Sequence, residues 1–564
     1  MIVIYAKSTL NKVEVNCIMK KMEFFTERQK NMSKIWNADL GNGMYKNPVL
    51  YGDYSDPDAC RVGEDYYLIS SSFSNAPGLP LLHSKDLVNW KVVNYILKDV
   101  PTDRYNKPTH GCGVWAPSIR YHDGTFFACF PMPDEGIYMT TAKDPLGEWT
   151  TPVNIRPGSG WEDPCPFWDD DGRAYLVTAV VKSRIGYNNV LYMTEMRPDG
   201  MALIGEEIRV FEGDKEGEIT IEGPKLYKRN GWYYIFAPAG GVKIGWQTIL
   251  RSKNIFGPYE RKIVMRQGDT PINGPHQGAW VDTVTGEDWF LHFQDVYSTG
   301  RIVHLQPMRW ENDWPIIGAA KDGSDWGEPV LQYKKPDVGA AVQEICEPAT
   351  SDDFSGKELG LQWQWNANFK ESWYELTGHG LKLNAIQRGS GIPYGDIPNM
   401  LLQKWPAPEF CCVTYLDLSG LADGDTAGVI SMGMEYGLLA LKKSGNDIKL
   451  SFVKGVQKFG KILAEETDEE ETALETMTAD KCEKVTVRYT VKRVGTQDLS
   501  EKEKGFPLEE VTIEYSVSGT EYKTAGKMNA VPGRWVGVKN GVFCISEKDD
   551  PKGYLIVEKV EYSR

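Results

Sequence analysis

The sequence predicts an all-β protein, a five-bladed β-propeller followed by a β-sandwich. Three observations predict it. A Gly-turned hairpin signature recurs five times, a polar or aromatic residue beside Pro or Gly precedes each recurrence at a common offset, and the region from residue 351 on alternates polar and apolar positions with period two. Recurrent short strands of this kind are what propeller blades require, and two-sided alternation is what an antiparallel sandwich requires.

The elements follow in chain order. Residues 1–45 are polar with scattered methionines and read as an N-terminal extension. From 46 to 330 the hairpins run RVGEDYYLISS, YHDGTFFACF, DDDGRAYLVTA, KRNGWYYIFAP and TVTGEDWFLHF, and their turn glycines Gly63, Gly124, Gly172, Gly231 and Gly286 are separated by 61, 48, 59 and 55 residues. A unit of that size holds one four-stranded blade. An ordinary sandwich with evenly spaced hairpins is the alternative, but sandwiches seldom repeat one hairpin signature in register. Residues 331–350 read as a linker. Residues 351–564, with strands such as KVTVRYTV, EVTIEYSVSG and YLIVEKVEYS, form the sandwich, and the acidic run EETDEEE at 465–471 reads as a solvated loop.

The segments ahead of the hairpins are SDPDACRV, VWAPSIRY, WEDPCPFW, IEGPKLYK and GPHQGAWV. The innermost strand of every blade starts at one end of the central channel, so Asp56, Trp115, Asp163, Glu222 and His276 should ring one axial pocket. Taken singly, an Asp before Pro is a turn residue. Three carboxylates in equivalent inner positions are different, because crowded like charges destabilise a fold and shift pKa values. Trp115 and Phe73 suit either a stacking platform or a core, and His276 suits a structural hydrogen bond, a sugar contact or a metal ligand.

Composition narrows the function. The 564 residues carry 78 acidic against 63 basic side chains, a net charge of -15, which argues against nucleic acid and anionic membrane as partners. With 18 Trp and 28 Tyr the chain is rich in flat apolar faces that suit strands and sugar rings. Its ten cysteines show no CxxC pair, and its N-terminus shows no apolar signal segment, so a cytoplasmic protein with free thiols is expected. Two carboxyl groups flanking a sugar, one protonated and one ionised, are the minimum for glycoside hydrolysis, and a third can raise the pKa of the acid.

At these residues the sequence resembles glycoside hydrolase family 43. The motifs are SDPD at 55–58 followed by PGLPLLHSKDLVNW, then GVWAPSIRY, WEDPCPF, IEGPKLYK, GPHQGAWVDT and GRIVHLQPMRW, with DDFSGKELGLQWQWN resembling the start of the concanavalin-like domain of family xylosidases. The resemblance implies Asp56 as general base, Asp163 as pKa modulator, Glu222 as general acid, and Phe73, Trp115, His276 and Arg301 as substrate-facing residues. It implies an exo-acting, inverting glycosidase that needs no cofactor for chemistry and releases β-D-xylose, α-L-arabinofuranose or both from xylan- or arabinan-derived oligosaccharides. It also implies a calcium or other cation in the channel near His276, and it leaves room for a homo-oligomer. DYSDPDA departs from the PDPS of many family xylosidases, which bears on the sugar subsite. A non-catalytic binding propeller would not need the three carboxylates, an endo-arabinanase would normally lack the long sandwich, and the opening motifs of fructan hydrolases are absent. Inversion would place the Asp56 and Glu222 carboxyl groups about 6.5–9.5 Å apart. A blind, exo-acting pocket further implies that a sandwich loop walls the propeller mouth, across an extensive apolar interface.

Overall fold

The structure, a computed structural model, describes residues 35–339 and 344–564. Five four-stranded antiparallel units follow one another around an axis. Their first strands are Asp58–Val62, Ser118–His122, Trp161–Trp168, Lys225–Arg229 and His276–Asp282. The fourth sheet is extended to six strands by Gly327–Glu328 and Ala319–Ala320. All five turn glycines adopt positive φ, from 63° at Gly63 to 87° at Gly286, a conformation in which a side chain would clash with its own backbone. The hairpin signature of the sequence is therefore a requirement of the turn.

The first strand of blade one lies against those of blades two and five, and that of blade three against those of blades two and four. This brings the starts of the inner strands to one end of the channel. The ring closes where Val49 and Leu50 donate their N–H groups to the Val303 carbonyl of blade five, at 2.8 and 3.2 Å. Apolar layers fill the wedges between blades: Leu68, Leu82, Leu291 and Leu305 join blades one and five, and Ile69, Leu81, Ile119 and Phe130 join blades one and two. Each such fully buried side chain contributes about 1.5–3 kcal/mol, which holds the channel rigid around its polar contents.

Two boundaries differ from the sequence expectation. Met44–Lys46, at the end of the expected extension, pairs antiparallel with Gln332–Lys334, inside the expected linker. Tyr45 is fully buried there and donates its hydroxyl to the Leu305 carbonyl at 2.8 Å. Polar composition hid this ribbon, because only Tyr45 among its residues needs burial. Residues 1–34 of that extension lie outside the described residues.

The C-terminal region is a sandwich of an eight-stranded and a seven-stranded sheet. The acidic run lies within the strand Ala464–Thr478, which pairs with Asp447–Phe459 and forms the edge of its sheet. The expected loop is thus a strand. Charges along an exposed edge block pairing with another chain, so a charged run is compatible with that position. Cys112, Cys129, Cys165, Cys412, Cys482 and Cys544 are buried free thiols, and no helix among the described residues is long and apolar enough to cross a membrane.

The seam between propeller and sandwich is hydrogen-bonded as well as apolar. Ala76 and Trp365 exchange backbone hydrogen bonds at 3.1 and 2.6 Å, the Asn368 amide clips both the N–H and C=O of Val100, and Val538 donates to the Ser298 carbonyl at 2.7 Å. The expectation was of an extensive apolar contact, and these hydrogen bonds are a part of the seam that it did not include. Loop backbone is buried here, and buried N–H and C=O groups must find partners.

Candidate active site

Asp56 stands just before the first strand of blade one, with φ at 55°. A non-glycine residue in the left-handed region is uncommon and tends to mark a functional position. Three donors converge on its carboxylate. Arg301 Nη1 reaches Oδ1 at 2.8 Å, while Ser71 Oγ and Ser55 Oγ reach Oδ2 at 2.5 and 3.2 Å. Arg301 comes from the third strand of blade five, and its guanidinium also lies 4.9 Å from the Phe293 ring centre.

Asp163 lies at the equivalent point of blade three, again with positive φ, 53°. The register of its strand shifts between Glu162 and Cys165, and such a bulge re-aims side chains. Its Oδ2 accepts the Gly223 N–H at 2.7 Å, directly beside Glu222, and the Gln277 amide at 3.3 Å. Burial and the negative charges of Glu222 and Asp56 push its carboxyl up to about 8. Burial, with Asp163 and Glu222 adding to it, pushes Glu162 well above the ordinary range. A proton is therefore shared in this part of the ring at neutral pH, since two adjacent buried carboxylates resist joint ionisation.

Glu222 is the more accessible member, its side chain 20% exposed against 4% for Asp56. Its Oε1 lies 2.7 Å from Nε2 of His276, a residue wholly buried behind it. With Nε2 as donor, His276 fixes one oxygen and leaves Oε2 to carry a transferable proton.

His276 is thus wholly buried behind Glu222, which corrects its expected role as a substrate contact. An axial calcium ion would need six to eight oxygen ligands. Among the described residues no group of three or more His, Cys, Asp or Glu side chains is placed to hold a metal, and two buried atoms beside the ring make no hydrogen bond, Nδ1 of His276 and Oε1 of Gln277. Those carboxylate, imidazole and thiol side chains do not by themselves make up that oxygen set.

The aromatic wall also assembles. Phe73 is buried and its ring centre is 6.2 Å from that of Trp115, which is partly exposed. Phe73 pairs through its backbone with Val114, and Gly113 permits the approach, since a Cβ there would sit 2.3 Å from the Phe73 carbonyl oxygen. Trp115 is flanked by the Arg184 guanidinium at 5.3 Å and by the edge of Trp535 at 6.3 Å. Trp535 belongs to the sandwich. Its loop, Pro532 to Val536, lines a cavity of about 250 Å³ together with Arg301, Asp295 and Lys243 of the propeller. The second domain thus reaches the propeller mouth beside Arg301 and Trp115.

Asp56, Asp163 and Glu222 are brought together as the blade register predicted, and Arg301 joins them. Sequence reasoning missed Ser71, Glu162, Gln277 and Trp535. Only Glu162 left a signal, as the first of two adjacent carboxylates in WEDPCPF.

A ring of buried carboxyl groups at a propeller mouth, one clamped by arginine and one backed by histidine, defines a glycosidase. The family model for glycosyl hydrolases family 43 matches residues 45–315, and that for the beta xylosidase C-terminal concanavalin A-like domain matches 351–563. The chain belongs to glycoside hydrolase family 43. It is 42% identical to a putative beta-xylosidase of Xylanibacter ruminicola, over 73% of this chain and 75% of the relative. It is 30% identical to a beta-xylosidase of Formosa agariphila, over 93% and 91%. It is 29% identical to the non-reducing end alpha-L-arabinofuranosidase BoGH43B of Bacteroides ovatus, over 73% and 79%.

Proposed function

We propose that this glycosidase is exo-acting and inverting, and that it removes a terminal pentose, β-D-xylose or α-L-arabinofuranose, from plant-wall oligosaccharides. Glu222 gives its Oε2 proton to the glycosidic oxygen as the bond to the anomeric carbon breaks. Asp56 takes a proton from water on the opposite face, and the water oxygen bonds to that carbon with inversion. Arg301, Ser71 and Ser55 hold the base, and Asp163 grips the Gly223 N–H beside the acid and is the ring member from which the shared proton can pass.

The observation that carries this reading is the different support of the two carboxyl groups: arginine and hydroxyls on Asp56, one histidine on Glu222. The pentose assignment is supported by the names of the relatives. Xylopyranose and arabinofuranose can present similar hydroxyls and the same leaving direction, so activity on both is chemically coherent. The test is a panel of xylobiose, arabinofuranosyl xylooligosaccharides and linear arabinan. Release of single pentose units from chain ends is expected; internal cleavage of arabinan into oligomers would refute the exo reading.

A further inference from the structure

We propose that Asp53 is a positioning residue that locks the sandwich loop bearing Trp535 to the arginine that holds the base, so that one carboxylate aligns the leaving-group wall with the catalytic centre. The inference rests on the glycosidase reading above and assigns a role to a residue outside the three-carboxylate set.

Asp53 is 3% exposed, and its two oxygens serve two domains. Oδ1 accepts the backbone N–H of Arg301 at 3.0 Å, and Oδ2 accepts the backbone N–H of Gly537 at 3.0 Å. Arg301 in turn holds Asp56, while Gly537 closes the loop that carries Trp535 against Trp115. The approach is close on every side: a Cβ on Gly300 would sit 2.5 Å from Asp53 Oδ1 and 2.7 Å from the Gly537 nitrogen. Asp53 also fixes the sandwich through its backbone carbonyl, which accepts Lys404 Nζ at 2.8 Å. Lys539 lies in the same seam, its Nζ on Asn75 Oδ1 at 2.6 Å, and Asp53 is the anion whose charge favours both buried ammonium groups. An asparagine could accept only one of the two N–H groups, because its NH₂ would face the other. Its loss should therefore free the loop from the arginine without emptying the core.

The test uses the full chain with Asp53→Asn and Asp53→Glu. Kinetics on xylobiose, whose leaving sugar must pass the Trp535 wall, are compared with β-xylosyl fluoride, whose leaving group is too small to reach it. Hydrogen exchange is followed over residues 532–538. Expected for both variants is faster exchange in that segment, a raised KM on xylobiose, and a kcat/KM loss of up to about 100-fold there, with a much smaller loss on the fluoride. Adding Trp535→Ala to Asp53→Asn should then cost little more on xylobiose. Should Asp53→Asn unfold, Asp53→Glu keeps the charge opposite Lys404 and Lys539 and carries the same comparison. Equal losses on both substrates, or unchanged exchange over 532–538, would overturn the proposal. A wild-type chain inert on both substrates would instead refute the pentosidase reading, and the exchange measurement would then judge the clamp alone.

Discussion

In the propeller mouth, Asp56, Glu162, Asp163 and Glu222 crowd negative charge around Arg301; at the domain seam, Lys404 and Lys539 crowd positive charge around Asp53. Both clusters are buried, each holds a close opposite charge, Arg301 in the one and Asp53 in the other, and these two are joined through the Arg301 N–H. They resolve the same electrostatic problem differently. The carboxyl ring keeps a proton, with Asp163 pushed up to about 8, and leaves Glu222 partly open to solvent. The lysine pair is closed and neutral acceptors meet it, the Asp53 carbonyl and the Asn75 amide oxygen, while burial and its neighbour Lys404 push Lys539 down to about 7. One cluster is poised to exchange protons with substrate. The other joins two domains.

Their contributions to stability run in opposite directions with pH. A carboxyl raised above its unfolded value stabilises fully below about pH 4, and that stabilisation is lost as pH rises through about 8. An ammonium group lowered to about 7 costs stability below that pH, and the cost is relieved as pH rises from 7 toward the unfolded value of 10.5. At neutral pH each cluster is a burden, tolerated for chemistry in one case and for docking in the other.

The sharpest break in this comparison should come from the carboxyl ring. Glu222→Ala is expected to lower kcat/KM on xylobiose by about 10²–10⁴-fold, and far less on aryl pentosides whose leaving groups need little protonation. Equal losses in a side-by-side kinetic assay would remove Glu222 from the acid role. Asp163→Asn should move the alkaline limb of the pH-rate profile downward, because the last proton no longer leaves against a second negative charge. The same variant should gain a few kcal/mol of stability at pH 7, a gain that shrinks toward pH 4 in denaturant titrations. An unmoved limb would reduce Asp163 to holding Gly223. The seam should give the smallest effect. Lys539→Met, similar in size and uncharged, is expected to match or exceed the wild type by about 1 kcal/mol at pH 6 and to lose that advantage near pH 10. A large loss at pH 6 would mean that the bond to Asn75 outweighs the burial of charge.

These two regions were not equally legible in the sequence. The propeller was, because each blade announces itself locally: a Gly turn with positive φ, an aromatic strand after it, and before it a polar or aromatic residue that in three blades is a carboxylate. Equivalence of position then placed Asp56, Asp163 and Glu222 around one axis. The seam was not, because Asp53 meets Arg301 across 248 positions and Gly537 across 484, and nothing near it repeats. Trp535 was hidden for the same reason. The strand Ala464–Thr478 read as a loop because charge density resembles solvation, whereas its state is set by pairing with Asp447–Phe459. His276 was found by register, yet its partner Glu222 could be identified only once blades four and five were set side by side.

The central claim is that Glu222 and Asp56 work on opposite faces of the sugar with water between Asp56 and the anomeric carbon. Proton NMR of the first-formed product tests it most directly, with xylobiose followed before mutarotation sets in. The β-linked xyloside is expected to release α-xylose first. Release of β-xylose first would mean a covalent intermediate and would contradict the assignment of Asp56 as a base.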